Sequence, residues 1–170
     1  VTVRVFPVEL SAPLDFADTY GAPRAGGRTH EGTDIFAPEG TPIVAVDSGR
    51  VEFHPDEGIG GNVAYLHTDD RTRYVYSHLQ GFEGEARKVD AGDVIGRLGR
   101  TGNAANTKPH LHFEIHPLEG EAINPFPALQ AAIPGATPAP SSSSASLEGL
   151  GLVLLFWILM HRRQQRWGLN

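Results

Sequence analysis

From residue 1 to residue 127 the chain is a succession of short β-like runs: "VTVRV", "PIVAV", "GRVEF", "NVAYLH", "TRYVYSH", "DVIGRLG" and "HLHFEIH", separated by Gly, Asp, Asn and Pro. β-Branched and aromatic residues dominate the runs and no helical period lies between them, a pattern that pairs into sheets. The fold class expected is therefore all-β, an antiparallel, sandwich-like domain. "HTDDRT" is expected to be a hairpin turn because Asp tolerates turn backbone and bonds locally. "IGGN" and "RTGNAAN" are expected loops. A chain of 170 residues, 40% of them hydrophobic, has room for one such domain with appendages.

The appendages lie at the C-terminal end. "PGATPAPSSSSAS" is too poor in apolar residues to order itself, so residues 128–146 are assigned to a disordered Pro/Ala/Ser-rich linker. Beyond it, Gly149 to Met160 carry no polar side chain, and Arg162, Arg163 and Arg166 follow at once. Such a helix covers only about 18 Å of a ~30 Å hydrocarbon core, and reaching back to Ala145 lengthens it at the cost of placing Glu148 near the interface. Residues 147–170 are expected to form a C-terminal apolar helix with a basic flank, associating with a membrane through residues 147–166 as an anchor or sorting signal. The competing reading is a helix packed on the domain or on a partner. An anchored domain of this orientation is extracytoplasmic, at the periplasm or cell surface. The chain opens at Val1 with no charged, apolar leader, which would place any export signal upstream of it.

Composition narrows the chemistry. A net charge of −6 with scattered Lys and Arg excludes a nucleic-acid surface. The absence of cysteine excludes disulfides and thiolate metal sites, so any metal would be held by His and carboxylate.

Such residues occur in three places. "RTHEGTDIFAPEGTP" sets His30 and Asp34 four apart with Gly32 between them, close enough for both to ligate one Zn²⁺ where a short loop or strand end turns back. In "HLHFEIH", alternation puts His110, His112, Glu114 and His116 on one strand face, with Leu111, Phe113 and Ile115 on the other. A catalytic zinc site uses three protein ligands and leaves one position open; His30, Asp34 and one of His110 or His112 supply that number. In "YVYSHL", Tyr74, Tyr76 and His78 are expected on one strand face, the tyrosines as sheet packing and His78 at the end of the strand.

Taken together, "HEGTDIFAPEGTPIVAVDSGRV", "YSHL" and "GDVIGRLGRTGNAANTKPHLHFEI" resemble, in order, the LytM/lysostaphin-type zinc metallo-endopeptidases that act on the peptide part of bacterial peptidoglycan. The resemblance runs from roughly residue 4 to residue 126. It implies a domain 1–127 that binds one Zn²⁺ through His30, Asp34 and His112. It also implies His78 and His110 as catalytic residues flanking the reacting water, His110 towards the oxyanion. The reaction implied is hydrolysis of a peptide bond by a metal-activated water, with the peptidoglycan peptide as partner. No position of the implied set is replaced, which argues against the alternative, a non-catalytic wall-binding or amidase-activating module with a structural zinc. A lipoyl-type or phosphocarrier domain is excluded because "VDAGDVIGRLG" has no Lys at its turn tip. Ser77 lacks an acidic partner for a serine-hydrolase arrangement. Glu114 is expected to be a solvated strand residue rather than a partner of a ligating His. Asn62 and Asn103 are expected either to line the substrate groove or simply to form loops. His54, His67, His116 and His161 are expected outside the site.

Overall fold

The structure, a computed structural model, describes residues 1–135. The β-like runs become two antiparallel sheets. In spatial order, β1 (Asp15–Phe16), β2 (Thr33–Phe36), β10 (His110–His116), β6 (Arg73–Ser77), β5 (Val63–His67), β4 (Gly49–His54) and β8 (Arg87–Val89) form a seven-stranded sheet. A smaller sheet is ordered β3 (Pro42–Val44), β9 (Val94–Arg97), β7 (Gly81–Phe82). One core joins them, with Ile35, Leu66, Tyr76, Leu111, Phe113 and Ile115 from the large sheet meeting Ile43 and Ile95 from the small one. Burial of large apolar side chains at roughly 1.5–3 kcal/mol each is what holds strands this short in register.

The expected turn at "HTDDRT" joins β5 to β6: Arg71 takes φ 63°, and the Asp70 carboxylate accepts the backbone N–H of Thr72. The run "VTVRV" is not a strand. Its Val3 side chain is buried, and Arg4 and Val5 both donate backbone N–H groups to the Val46 carbonyl, so the segment is pinned across the core without a ladder. The core also extends beyond residue 127, where the linker was expected to begin. Helix α1 (Phe126–Ala131) buries Leu129 completely, and Ala132 and Ile133 pack against the same cluster. A six-residue helix offers too little period to stand out in a sequence, so tertiary burial decides it. Among the described residues no helix is long and apolar enough to cross a membrane; the expected linker from residue 136 onward and the segment 147–170, with His161, lie outside the described residues.

Candidate metal centre

Strand pairing brings the sequence motifs together. β10 lies between β2 and β6, with His112 opposite Asp34 on one side and Ser77 on the other. Because directly opposed residues project to the same side of a sheet, His112 and Asp34 emerge together, and Leu111, Phe113 and Ile115 turn into the core. His30 joins them from the loop before β2. Its Nε2 lies 3.0 Å from Asp34 Oδ1 and 2.9 Å from His112 Nδ1, and His112 Nδ1 lies 3.0 Å from the same Oδ1.

What faces the centre of this triangle follows from the outward bonds of each ring. His30 Nδ1 donates to the Thr19 carbonyl, and His112 Nε2 donates to Glu114 Oε1 at 2.8 Å. In the neutral rings His30 Nε2 and His112 Nδ1 are then bare lone pairs, turned towards each other and towards a carboxylate oxygen. Such an arrangement is repulsive without a proton or a cation between the atoms. Tetrahedral ligands at about 2.0–2.1 Å from zinc are spaced roughly 3.3 Å apart, so the three donors fit the ion with little adjustment. His30, Asp34 and His112 form a group able to hold a metal ion.

The protein's electrostatics fit the same picture. Burial alone would raise the Asp34 carboxyl, but bonds from His112 and His30 outweigh it and hold the group far below the usual carboxylate range. For His112 burial works downward, yet the carboxylates of Asp34 and Glu114 push the imidazole up to about 9.

Glu114 is not the solvated residue expected. Its second oxygen accepts from His116 Nε2 at 2.7 Å, His116 Nδ1 donates to the Gly120 carbonyl, and His116 is buried. Burial alone would raise the Glu114 carboxyl, but hydrogen bonds from His112 and His116 outweigh it and hold the group down to about 2. His116 therefore stands behind the centre through Glu114 rather than apart from it. Ordinary strand alternation places all three on one face; what the sequence does not show is that this face is covered. Arg24 was not singled out from the sequence at all. Its guanidinium meets Asp34 Oδ2 at 2.6 Å and leaves Oδ1 to the other donors. Gly32 serves close approach rather than bending, because a Cβ there would stand 2.4 Å from the Phe113 carbonyl and 2.9 Å from the His112 ring.

His78 and His110 form the second half of the site. Strand alternation would send His78 to the side of Tyr74 and Tyr76, which lie in the core. Instead β6 stops at Ser77 and His78 adopts φ 67°, an uncommon backbone for a residue with a side chain, which swings its ring across to the His110 side. The ring centroids of His78 and His110 are 4.9 Å apart, and His78 and His112 6.0 Å. His78 Nδ1 donates to the Thr101 carbonyl and His110 Nδ1 to the Lys108 carbonyl, leaving both Nε2 atoms bare. Burial first, then the neighbouring His110 and His112, lower His78 to about 4, so it is neutral at physiological pH. Phe36 packs against His110 with the rings tilted and their centroids 5.3 Å apart.

The five residues line an open hollow of about 600 Å³, with Asn103 and Ile59 on its rim. Asn62 is not on the hollow; its side chain donates to the Leu79 carbonyl and its backbone N–H to Thr101 Oγ1. His54 and His67 lie outside as well, beside Glu57 and Glu119 respectively.

Two histidines and a carboxylate whose donor atoms lie about 3 Å from one another, with two further histidines beside them on an open hollow, are the kind of arrangement that suits a metallohydrolase. The model described as Peptidase family M23 matches residues 28–125, and the chain belongs to that family. It is 37% identical over 98 residues to the DD-carboxypeptidase/endopeptidase Mpg of Neisseria meningitidis serogroup B, covering 58% of this chain and 22% of that protein. It is 32% identical over 141 residues to the L-Ala--D-Glu endopeptidase of Bacillus subtilis, covering 75% and 43%. The chain thus spans less than half the length of these curated relatives. The catalytic domain of lysostaphin from Staphylococcus simulans superposes with a TM-score of 0.61 at 32% identity, over 70% of this chain and 92% of that one.

Proposed function

We propose that the chain is a zinc-dependent endopeptidase that hydrolyses peptide bonds in bacterial cell-wall peptidoglycan, with His30, Asp34 and His112 holding one Zn²⁺ and His78 and His110 as catalytic residues. The observation that carries this reading is the convergence of three potential ligand atoms, His30 Nε2, Asp34 Oδ1 and His112 Nδ1, within 3.0 Å of one another, beside two further imidazoles whose Nε2 atoms have no protein partner among the described residues. Zinc bound there would polarise the scissile carbonyl and make a water molecule acidic enough to attack near neutral pH, so that no protein nucleophile is needed.

The remaining work falls to this chain's own groups. Neutral His78 accepts the proton of the attacking water at Nε2, a role suited to a ring whose other nitrogen is tied to a backbone carbonyl. His110 stands beside the oxygen that gains charge, and the proton taken up by His78 passes to the leaving amine as the C–N bond breaks. Glu114 and Arg24 keep His112 and Asp34 aimed, as outer partners of metal ligands do. Together these assignments favour hydrolysis over a purely wall-binding or activating role. The bond cut is either in a stem-peptide cross-link or in a glycine-rich bridge.

The proposed setting is extracytoplasmic. The domain ends in the core-packed residues near Ile133, the Pro/Ala/Ser-rich stretch serves as a tether, and residues 147–166 associate with the membrane.

Mass spectrometry of purified peptidoglycan digested by the zinc-supplemented chain tests the reading. New muropeptides with free amino termini are expected, and a chelator is expected to abolish them. A zinc-loaded chain that leaves several wall chemotypes intact favours the binding module instead.

A further inference from the structure

The hollow is lined in part by a short arm, of which the proposed reaction uses only Arg24. Pro23 pairs with Thr29, Arg24 donates its backbone N–H to the Arg28 carbonyl at 2.9 Å, and Gly26 and Gly27 close the turn at φ 77° and 74°. Both glycines take the left-handed backbone that side chains rarely adopt, so the arm is a defined hairpin tip. Arg24 and Arg28 are directly opposed on it, and opposed residues project to the same side. Both line the hollow.

Their partners differ. Arg24 is committed to Asp34 Oδ2 at 2.6 Å. Arg28 makes no ion pair or side-chain hydrogen bond among the described residues; Arg71 and Arg73 share that state, but they do not line the hollow, while Arg4, Arg50, Arg97 and Arg100 each find an acid. Glu31, an exposed acid lining the same hollow, is not paired with it. Like charges directly opposite each other are unfavourable, and Asp34 offsets only one of the two guanidiniums. A planar carboxylate arriving in the groove would relieve this repulsion and suits the fork geometry of an Arg.

We propose that Arg28, backed by Arg24 on the hairpin arm, receives a free carboxylate of the peptide substrate beside the scissile bond. The groove then selects a carboxylate-bearing stem peptide over a glycine-rich bridge, whose interior offers none. This rests on the hydrolase reading for the identity of the substrate, but the recognition itself is separable from turnover.

The test is binding to the zinc-loaded full chain, read by fluorescence anisotropy. The probes are dye-labelled L-Ala-γ-D-Glu-L-Lys-D-Ala, the same peptide with both carboxylates converted to carboxamides, and pentaglycine amide. The unmodified chain is expected to bind the acid at least about tenfold tighter than either probe lacking a carboxylate, as one charge-assisted contact provides. Arg28→Gln is expected to bring that ratio close to one with zinc content unchanged, and Arg28→Lys to restore part of it. A ratio near one in the unmodified chain, or a full preference surviving in Arg28→Gln, overturns the proposal. Acid-selective binding that depends on Arg28 in a chain that cleaves nothing upholds the recognition and removes the hydrolase.

Discussion

His112 is the residue on which the centre turns. It carries two carboxylates, Asp34 at Nδ1 and Glu114 at Nε2, and in the metal-free protein they retain a proton on it up to about pH 9. That proton occupies the place of the metal. Zinc binding at pH 7 is therefore expected to release roughly one proton per ion, and affinity to fall about tenfold per pH unit on acidification below pH 9. Calorimetry in buffers of different ionisation enthalpy measures this; a heat independent of buffer contradicts it. The linked effect on stability has a definite sign. Because the folded value of His112 lies above its ordinary 6.5, its contribution is complete below pH 6.5 and is lost as pH rises through about 9. The denaturation midpoint of metal-free protein is expected to drop across that interval, and that of zinc-loaded protein to hold. The ligand types were legible in the sequence because His and Asp four apart and His-x-His on a strand are local patterns. Arg24 was not, since its partnership with Asp34 depends on a hairpin arm folding back over ten residues with no periodicity to mark it.

At the level of elements, the large sheet supplies Asp34 and His112, the loop before β2 supplies His30, and a pair of loops holds His78 where β6 ends. The loops after β4 and β9 meet at Gly61 and Gly102, where a Cβ on Gly61 would lie 2.4 Å from the Gly102 nitrogen. Thr101 links the pair, donating its hydroxyl to the Leu79 carbonyl, accepting from Asn62 N, and accepting from His78 Nδ1 at its own carbonyl. Gly61→Ala is expected to force the loops apart and release His78, lowering kcat by 10²-fold or more while zinc content stays, on the scale of displacing a general base. Equal kcat in this variant would separate His78 from the loop contact. The strands themselves were legible in the sequence, since alternation and turn residues are local signals. The exception at His78 was not, because a single residue of positive φ reverses a side chain's direction and nothing in "YVYSHL" announces it.

On the scale of the whole molecule, one core serves both sheets and is closed by α1. Leu129→Ala removes a fully buried side chain from that closure and is expected to cost about 2–5 kcal/mol, measurable as a shift in denaturant midpoint. A change under ~0.5 kcal/mol would return residues 128–133 to the linker in which composition alone had placed them. Composition could not have decided this, because "FPALQAAIP" is short, weakly amphipathic and stabilised only by what it covers. The division of labour in the site is tested most directly by measuring bound zinc and released amino termini on the same preparations of unmodified chain, His112→Ala and His110→Ala. About one zinc per chain is expected in the unmodified protein and in His110→Ala and none in His112→Ala, with hydrolysis in the unmodified protein alone. Equal loss of zinc from both variants, or a fully loaded unmodified chain that releases no amino termini, would contradict it.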